Sequence, residues 1–185
     1  MSDPVKNILI PTLLAPPAKL YALFMQAENI VVDNNETWPK QTLRNRYYIG
    51  SPNDVRALVV PVHKPSGHRT RTNETEIDYS ENWPLYHKKT LTTAYSKSPF
   101  FLYYADYIFA EFERRHNLLI DLNAALQKLF TKWLSIKTPI QQSTDFIRTF
   151  DGFDARPLLK NNAAWNLHQS YYQPFDEVFG FRNSL

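Results

Sequence analysis

The chain opens on an apolar run, Asn7 to Leu14, followed by Pro16-Pro17, the stretch Lys19-Leu-Tyr-Ala-Leu-Phe-Met-Gln26 and a second apolar run, Glu28 to Asp33. Short continuous apolar runs predict buried strands, and a stretch entered through two prolines predicts a helix. Strand, helix and strand in that order form a βαβ unit, so a Rossmann-like N-terminal half is expected. Asp33 stands where a dinucleotide-binding fold meets a ribose hydroxyl, but the first turn reads Leu-Ala-Pro-Pro where such folds carry glycines. Proline has no N–H to offer a pyrophosphate, which argues against NAD, and no cofactor is expected.

Beyond this unit, Tyr47 to Ile49 and Ala57 to Val62 predict strands around a turn at Gly50 to Asp54, and His63 to Asn73 predicts a polar loop. Thr75, Ile77 and Tyr79 alternate with Glu74, Glu76 and Asp78, the pattern of a half-buried strand with its carboxylates in water. Pro84 predicts a helix to about Lys97, capped by Asn82 or Trp83, with Trp83, His87, Leu91 and Ala94 on its inner face. A further helix, Phe101 to Asn117, would pack Tyr104, Tyr107, Ile108 and Phe112. Another, capped by Asn123, would lay down Leu122, Ala125, Leu126, Leu129, Trp133 and Ile136. A last short helix is expected over Ala163 to Tyr172. The prediction is an α/β fold: a Rossmann-like N-terminal βαβ with a mixed sheet, a helical C-terminal half, and one domain across residues 1–185.

Composition narrows the classes of function. With 43% hydrophobic residues in 185, a sizeable core is available, and 15% aromatics against 4 glycines make large rings its main material. A net charge of +3 lacks the clustering of a dedicated nucleic-acid binder, so no nucleic-acid partner is expected. Zero cysteines exclude disulfides and thiol chemistry. No signal-peptide core appears, and no window approaches the ~18 apolar residues of a membrane span, so the expectation is a soluble, cytoplasmic protein without a transmembrane segment.

The chemistry concentrates in Trp38-Pro-Lys-Gln-Thr-Leu-Arg-Asn-Arg46, just after the strand ending in Asp33. Ligands of open α/β sheets gather beyond the carboxyl ends of strands, so Lys40, Arg44 and Arg46 are placed to meet a phosphate or carboxylate. The bland alternative is that Arg44 and Arg46, two apart on a strand, pair across the sheet with Glu74, Glu76 or Asp78. Catalytic signatures are missing: there is no Walker A loop, no G-x-S-x-G elbow and no H-E-x-x-H pair. His63 and His68 do not have the spacing of a metal site, and none is expected. His87 is the candidate general base, and a core histidine held by hydrogen bonds is the competing reading.

Read in order, Lys40-Gln-Thr-Leu-Arg-Asn-Arg46, Val60-Pro-Val62, Asn82-Trp83 with His87, Tyr95, Ser98-Pro-Phe-Phe101, and the ending Tyr172-Gln173-Pro-Phe175 with Phe179-Gly-Phe181 resemble the WbqC-like family of bacterial proteins. The resemblance implies a transferase in surface polysaccharide synthesis of the O-antigen type, passing glycine or another acyl group to a sugar. The alternative is a non-catalytic binding protein for a sugar nucleotide, a polysaccharide intermediate or a partner enzyme. An anionic activated sugar or acyl donor would meet Asp33, Lys40, Gln41, Arg44, Asn45, Arg46, Asn82, Trp83, Tyr95, Arg156, Tyr172 and Gln173. The chain departs from the family pattern in the loop Pro11-Thr-Leu-Leu-Ala-Pro16 and in stopping at Leu185. The second departure implies exposed apolar surface and a homo-oligomer.

Overall fold

The computed structural model describes residues 6–40, 42–50 and 55–159. In chain order the elements are β1 (Asn7–Pro11), α1 (Ala18–Phe24), β2 (Asn29–Asp33), β3 (Arg46–Gly50), β4 (Val55–Val59), β5 (Val62–His63), β6 (Glu76–Ile77), α2 (Trp83–Tyr95), α3 (Phe101–Glu113), α4 (Leu119–Trp133), β7 (Ile140–Gln142) and β8 (Phe153–Asp154). The fold is α/β, with a four-stranded parallel sheet ordered β7-β2-β1-β8.

β1 and β2 run side by side from Asn7 opposite Asn29 to Pro11 opposite Asp33, with α1 between them in sequence. Ile8, Leu9, Ile10, Ile30 and Val32 are all buried, as expected of parallel strands covered on both faces. Leu20, Tyr21 and Phe24 of α1 are buried as well, and they join the strand residues in one core cluster. From β1 the chain steps to β2 and then β7 on one side, and lays β8 on the other. The strand order therefore reverses between β1 and β8, the place where sheets of this kind open a crevice.

The expected mixed sheet is instead a wholly parallel one, with the antiparallel pairs β3–β4 and β5–β6 standing apart from it. Pro61 accounts for part of this, because a residue without an N–H interrupts the run from Ala57 to Val62 and leaves β4 to end at Val59. The chain after α4 returns to the sheet as β7 and β8, so helix does not fill the C-terminal half of the described residues. The helix expected at 163–172 lies outside them.

Helices α2 to α4 build a second cluster, in which Trp83, Phe109, Phe112, Leu119, Leu122 and Leu126 meet Leu14, Val60 and Ile77. Phe130 packs against both clusters. Two expectations about these helices change. On α3 the buried stripe is Ala105, Phe109 and Phe112, while Tyr104 and Tyr107 are exposed, because the face is turned by about one position. α4 begins at Leu119, so Asn123 is an interior residue and not a cap. There it donates through Nδ2 to the Arg44 carbonyl (3.0 Å) and to Thr12 Oγ1 (3.2 Å). Among the described residues no helix is long and apolar enough to cross a membrane.

Candidate anion site at the carboxyl edge of the sheet

Three of the four strands of the parallel sheet, β2, β7 and β8, hand the residues at their ends to one polar cluster. β2 ends in Asp33 and continues as Asn34-Asn35-Glu36, β7 is followed by Ser143, and β8 ends in Asp154 with Arg156 two residues on. Asp33 is 0% exposed. Its Oδ1 accepts from the Asn35 N–H (2.9 Å) and the Ser143 hydroxyl (3.3 Å). Its Oδ2 accepts from the Ile147 N–H (3.2 Å) and from Arg156 Nη1 (3.0 Å). A buried carboxylate is tolerable only with such partners.

Arg156 is fixed from both sides. Its Nε and Nη2 donate to the Asp154 carboxylate, the shortest contact being 2.7 Å, while Nη1 also donates to the Ile147 carbonyl at 2.7 Å. The turn that aims it is local, since the Arg156 N–H itself donates to Asp154 Oδ1 (3.0 Å). Hydrogen bonding to Asp154 is the main cause of an upward shift in the pKa of the Arg156 guanidinium.

Arg44 occupies the facing wall. Nη2 is ion-paired with Glu36, and Nη1 donates to Thr42 Oγ1 (2.8 Å). Burial shifts the pKa of this guanidinium downward, with Glu36 opposing the shift, and an arginine remains charged near neutrality. Arg44 Nε is buried without a hydrogen-bond partner. Glu36 also lies 3.8 Å from Arg156, so the two arginines share it.

Between these groups lies a cavity of about 90 Å³, lined by Pro11 at the end of β1 and Leu13 beyond it, Lys40, Thr42 and Arg44 of the β2–β3 loop, and Arg156 and Leu159 after β8. It sits at the reversal of strand order. At ~30 Å³ per water it holds about three waters, the scale of one phosphate or carboxylate group.

The structure thus brings together Asp33, Lys40, Arg44 and Arg156 from the sequence expectation and distributes the others. Asn45 extends the β3–β4 pairing, its Nδ2 donating to the Val60 carbonyl (2.9 Å). Arg46 opens β3 opposite Val59, with a buried Nε that has no partner. Asn82 caps α2 by accepting from the Leu85 N–H (3.3 Å), and the Tyr95 hydroxyl accepts from the Gly50 N–H (3.1 Å). Trp83 is buried, stacked on Tyr79 at 5.7 Å. Gln41, Tyr172 and Gln173 lie outside the described residues. The alternative in which Arg44 and Arg46 share a strand and pair with Glu74, Glu76 or Asp78 is replaced, for Arg44, by Glu36, because Arg44 lies in the loop ahead of β3 and β6 pairs with β5.

His87 is fully buried between Tyr47, Trp83 and Phe112. Val59 offers only a carbonyl, so Nε2–H must donate to it (3.1 Å), which leaves Nδ1 to accept from the Tyr47 hydroxyl (3.2 Å). Burial lowers its pKa to about 4, so the ring is neutral at pH 7.

Sequence reading missed Glu36, Thr42 and Asp154. Asp154-Ala-Arg156 carried a usable signal, since an Asp accepts from the backbone two residues on. Glu36 carried none beyond following a strand end.

A parallel α/β sheet with an ion-paired, arginine-walled pocket at its strand reversal defines the class: an open α/β protein with a polar crevice at the carboxyl edge of its sheet. Residues 12–174 match the WbqC-like protein family, and the chain belongs to that family. No curated protein and no solved structure matches the chain.

Proposed function

We propose that the cavity between Lys40, Arg44 and Arg156 receives the phosphate or carboxylate of a small activated donor, and that the protein takes part in bacterial surface polysaccharide synthesis of the O-antigen type as a transferase. One observation carries the binding reading: two buried guanidiniums and a lysine line a phosphate-sized cavity at the strand reversal. Asp33, Glu36 and Asp154 balance the three cations in number, so in this reading recognition relies on Lys40, which has no carboxylate partner among the described residues, more than on net potential. The donor class, an activated sugar or an acyl or glycyl group, rests on the family resemblance.

His87 has a packing role in this reading. Both of its nitrogens are engaged in the core and its ring is neutral, which leaves no lone pair for an incoming proton. The non-catalytic binding reading draws support from Thr42, the hydroxyl among the described lining residues, which already accepts from Arg44.

The test is a thermal-shift screen with nucleotides, nucleotide sugars, acyl-CoA and aminoacyl donors, repeated on Lys40→Glu. A ligand at 100 times its Kd stabilises by about 2.7 kcal/mol, and the variant should lose most of that gain. A wild-type shift that Lys40→Glu leaves unchanged would put the ligand elsewhere. Turnover of a bound donor with a sugar acceptor separates transferase from binding protein.

A further inference from the structure

Three cavities adjoin along the loop between β1 and α1. Pro11, Leu13 and Leu43 wall the anion pocket. Leu43 also walls a second cavity of about 90 Å³, together with Ala15, Pro16 and Pro17. Ala15 and Pro16 in turn wall a third, of about 350 Å³, completed by Tyr21, Tyr104, Phe130 and Trp133. One side of all three is the same stretch of chain, residues 11–17.

The two ends differ in chemistry. One holds Lys40, Arg44 and Arg156. At the other, rings meet in series: Tyr21 and Phe130 at 6.3 Å, Phe130 and Trp133 at 5.8 Å, and Trp133 and Tyr104 at 4.8 Å between centroids. A volume of about 350 Å³ is within the ~300 to 1,000 Å³ of ligand sites, which are mostly apolar with a few polar anchors. The Tyr21 hydroxyl is buried here with no hydrogen-bond partner. Tyr104 is left half exposed by the turn of α3, so α3 does not bury this ring.

The link between the ends also has a character. It is lined by Ala15, Pro16, Pro17 and Leu43 together with Tyr47 and Tyr48. The prolines have no N–H and the Tyr47 hydroxyl is already bonded to His87, so the passage accommodates methylenes and offers a pyrophosphate few donors.

We propose that residues 11–17 floor a continuous amphipathic groove whose ligand is a soluble, single-chain amphiphile. Its apolar chain lies among Tyr21, Tyr104, Phe130 and Trp133, and its phosphate or carboxylate reaches Lys40, Arg44 and Arg156. The inference rests on the anion-site reading and specifies the ligand class for it. Charge complementarity at one end separates this ligand from a plain hydrocarbon, and the aromatic end separates it from free phosphate.

The test is calorimetric titration with decyl phosphate below its critical micelle concentration, with inorganic phosphate and 1-decanol alongside, on the wild type, Lys40→Glu and Tyr104→Ser. Decyl phosphate should bind at least about tenfold more tightly than either comparator, with about tenfold lost in each variant, or roughly 1.4 kcal/mol. Binding of inorganic phosphate that needs Lys40, with no gain from the decyl chain, overturns the groove and leaves the anion site standing. Equal binding of decanol and decyl phosphate, indifferent to Lys40→Glu, shows an isolated apolar cavity and also overturns it. Co-sedimentation with phosphatidic acid vesicles without binding of monomeric decyl phosphate assigns the surface to a membrane and overturns the soluble ligand. Binding of neither phosphate nor decyl phosphate overturns both readings.

Discussion

Asp33 is accommodated in a fully buried position because four donors answer its carboxylate: the Asn35 and Ile147 N–H groups, the Ser143 hydroxyl and Arg156. Removing the one cationic donor leaves a buried charge short of its counter-ion. Arg156→Met should therefore destabilise the fold by about 3 to 5 kcal/mol in urea unfolding, toward the lower end because three donors remain. His87 gives a second prediction. Its folded pKa of about 4 lies below the ordinary 6.5, so between those values the unfolded chain holds a proton that the folded chain does not. The resulting stability is complete above pH 6.5 and is lost as pH falls toward 4, by up to about 3 kcal/mol. Unfolding at pH 7 and pH 4.5 should show that fall, and His87→Phe should shrink it even though the variant is weaker at both. At this scale the sequence was readable where a residue type implies its surroundings, as for buried His87 or capping Asn82. It was silent on Glu36, whose partner Arg44 is chosen by how the one β2–β3 loop folds back on itself.

Among the elements, β8 is the fragile support of the site. It has two residues, pairs with Ile8 and Leu9 of β1, and delivers Asp154 and Arg156 to the pocket. Gly152 leads into it with φ +150, and a Cβ there would stand 2.6 Å from the Asn7 carbonyl oxygen and 2.8 Å from the Phe150 ring. Gly152→Ala should push β8 off β1, costing at least about 2 kcal/mol and weakening any ligand held at Arg156, as paired unfolding and binding measurements would reveal. Such elements explain where pattern reading stopped. β1, α1 and β2 were legible from runs long enough to carry a period, and so were α2 to α4. β7 and β8, at three and two residues, have no period, and only their long-range pairing with β2 and β1 makes them strands. Tyr104 shows the complementary error, a ring placed in the core by spacing but left outside by the turn of α3.

Across the whole molecule, the sheet is unevenly anchored. β1 and β2 pair over five residues in the core, whereas β8 offers two residues at an edge. Amide hydrogen exchange should rank them accordingly, slowest in β1 and β2 and faster in β8, with Arg156→Met speeding β8 most. Equal protection across the four strands would contradict that picture. The Asp33 to Arg156 contact also joins positions 123 apart in the chain. A ribosome delivers Asp33 and the Lys40 to Arg44 loop long before it delivers Arg156. During that interval the nascent chain holds a bare carboxylate and one wall of a pocket. Completion of the pocket is thus a late event of synthesis, and a product truncated ahead of Arg156 would leave the ribosome with one wall made and nothing to close it.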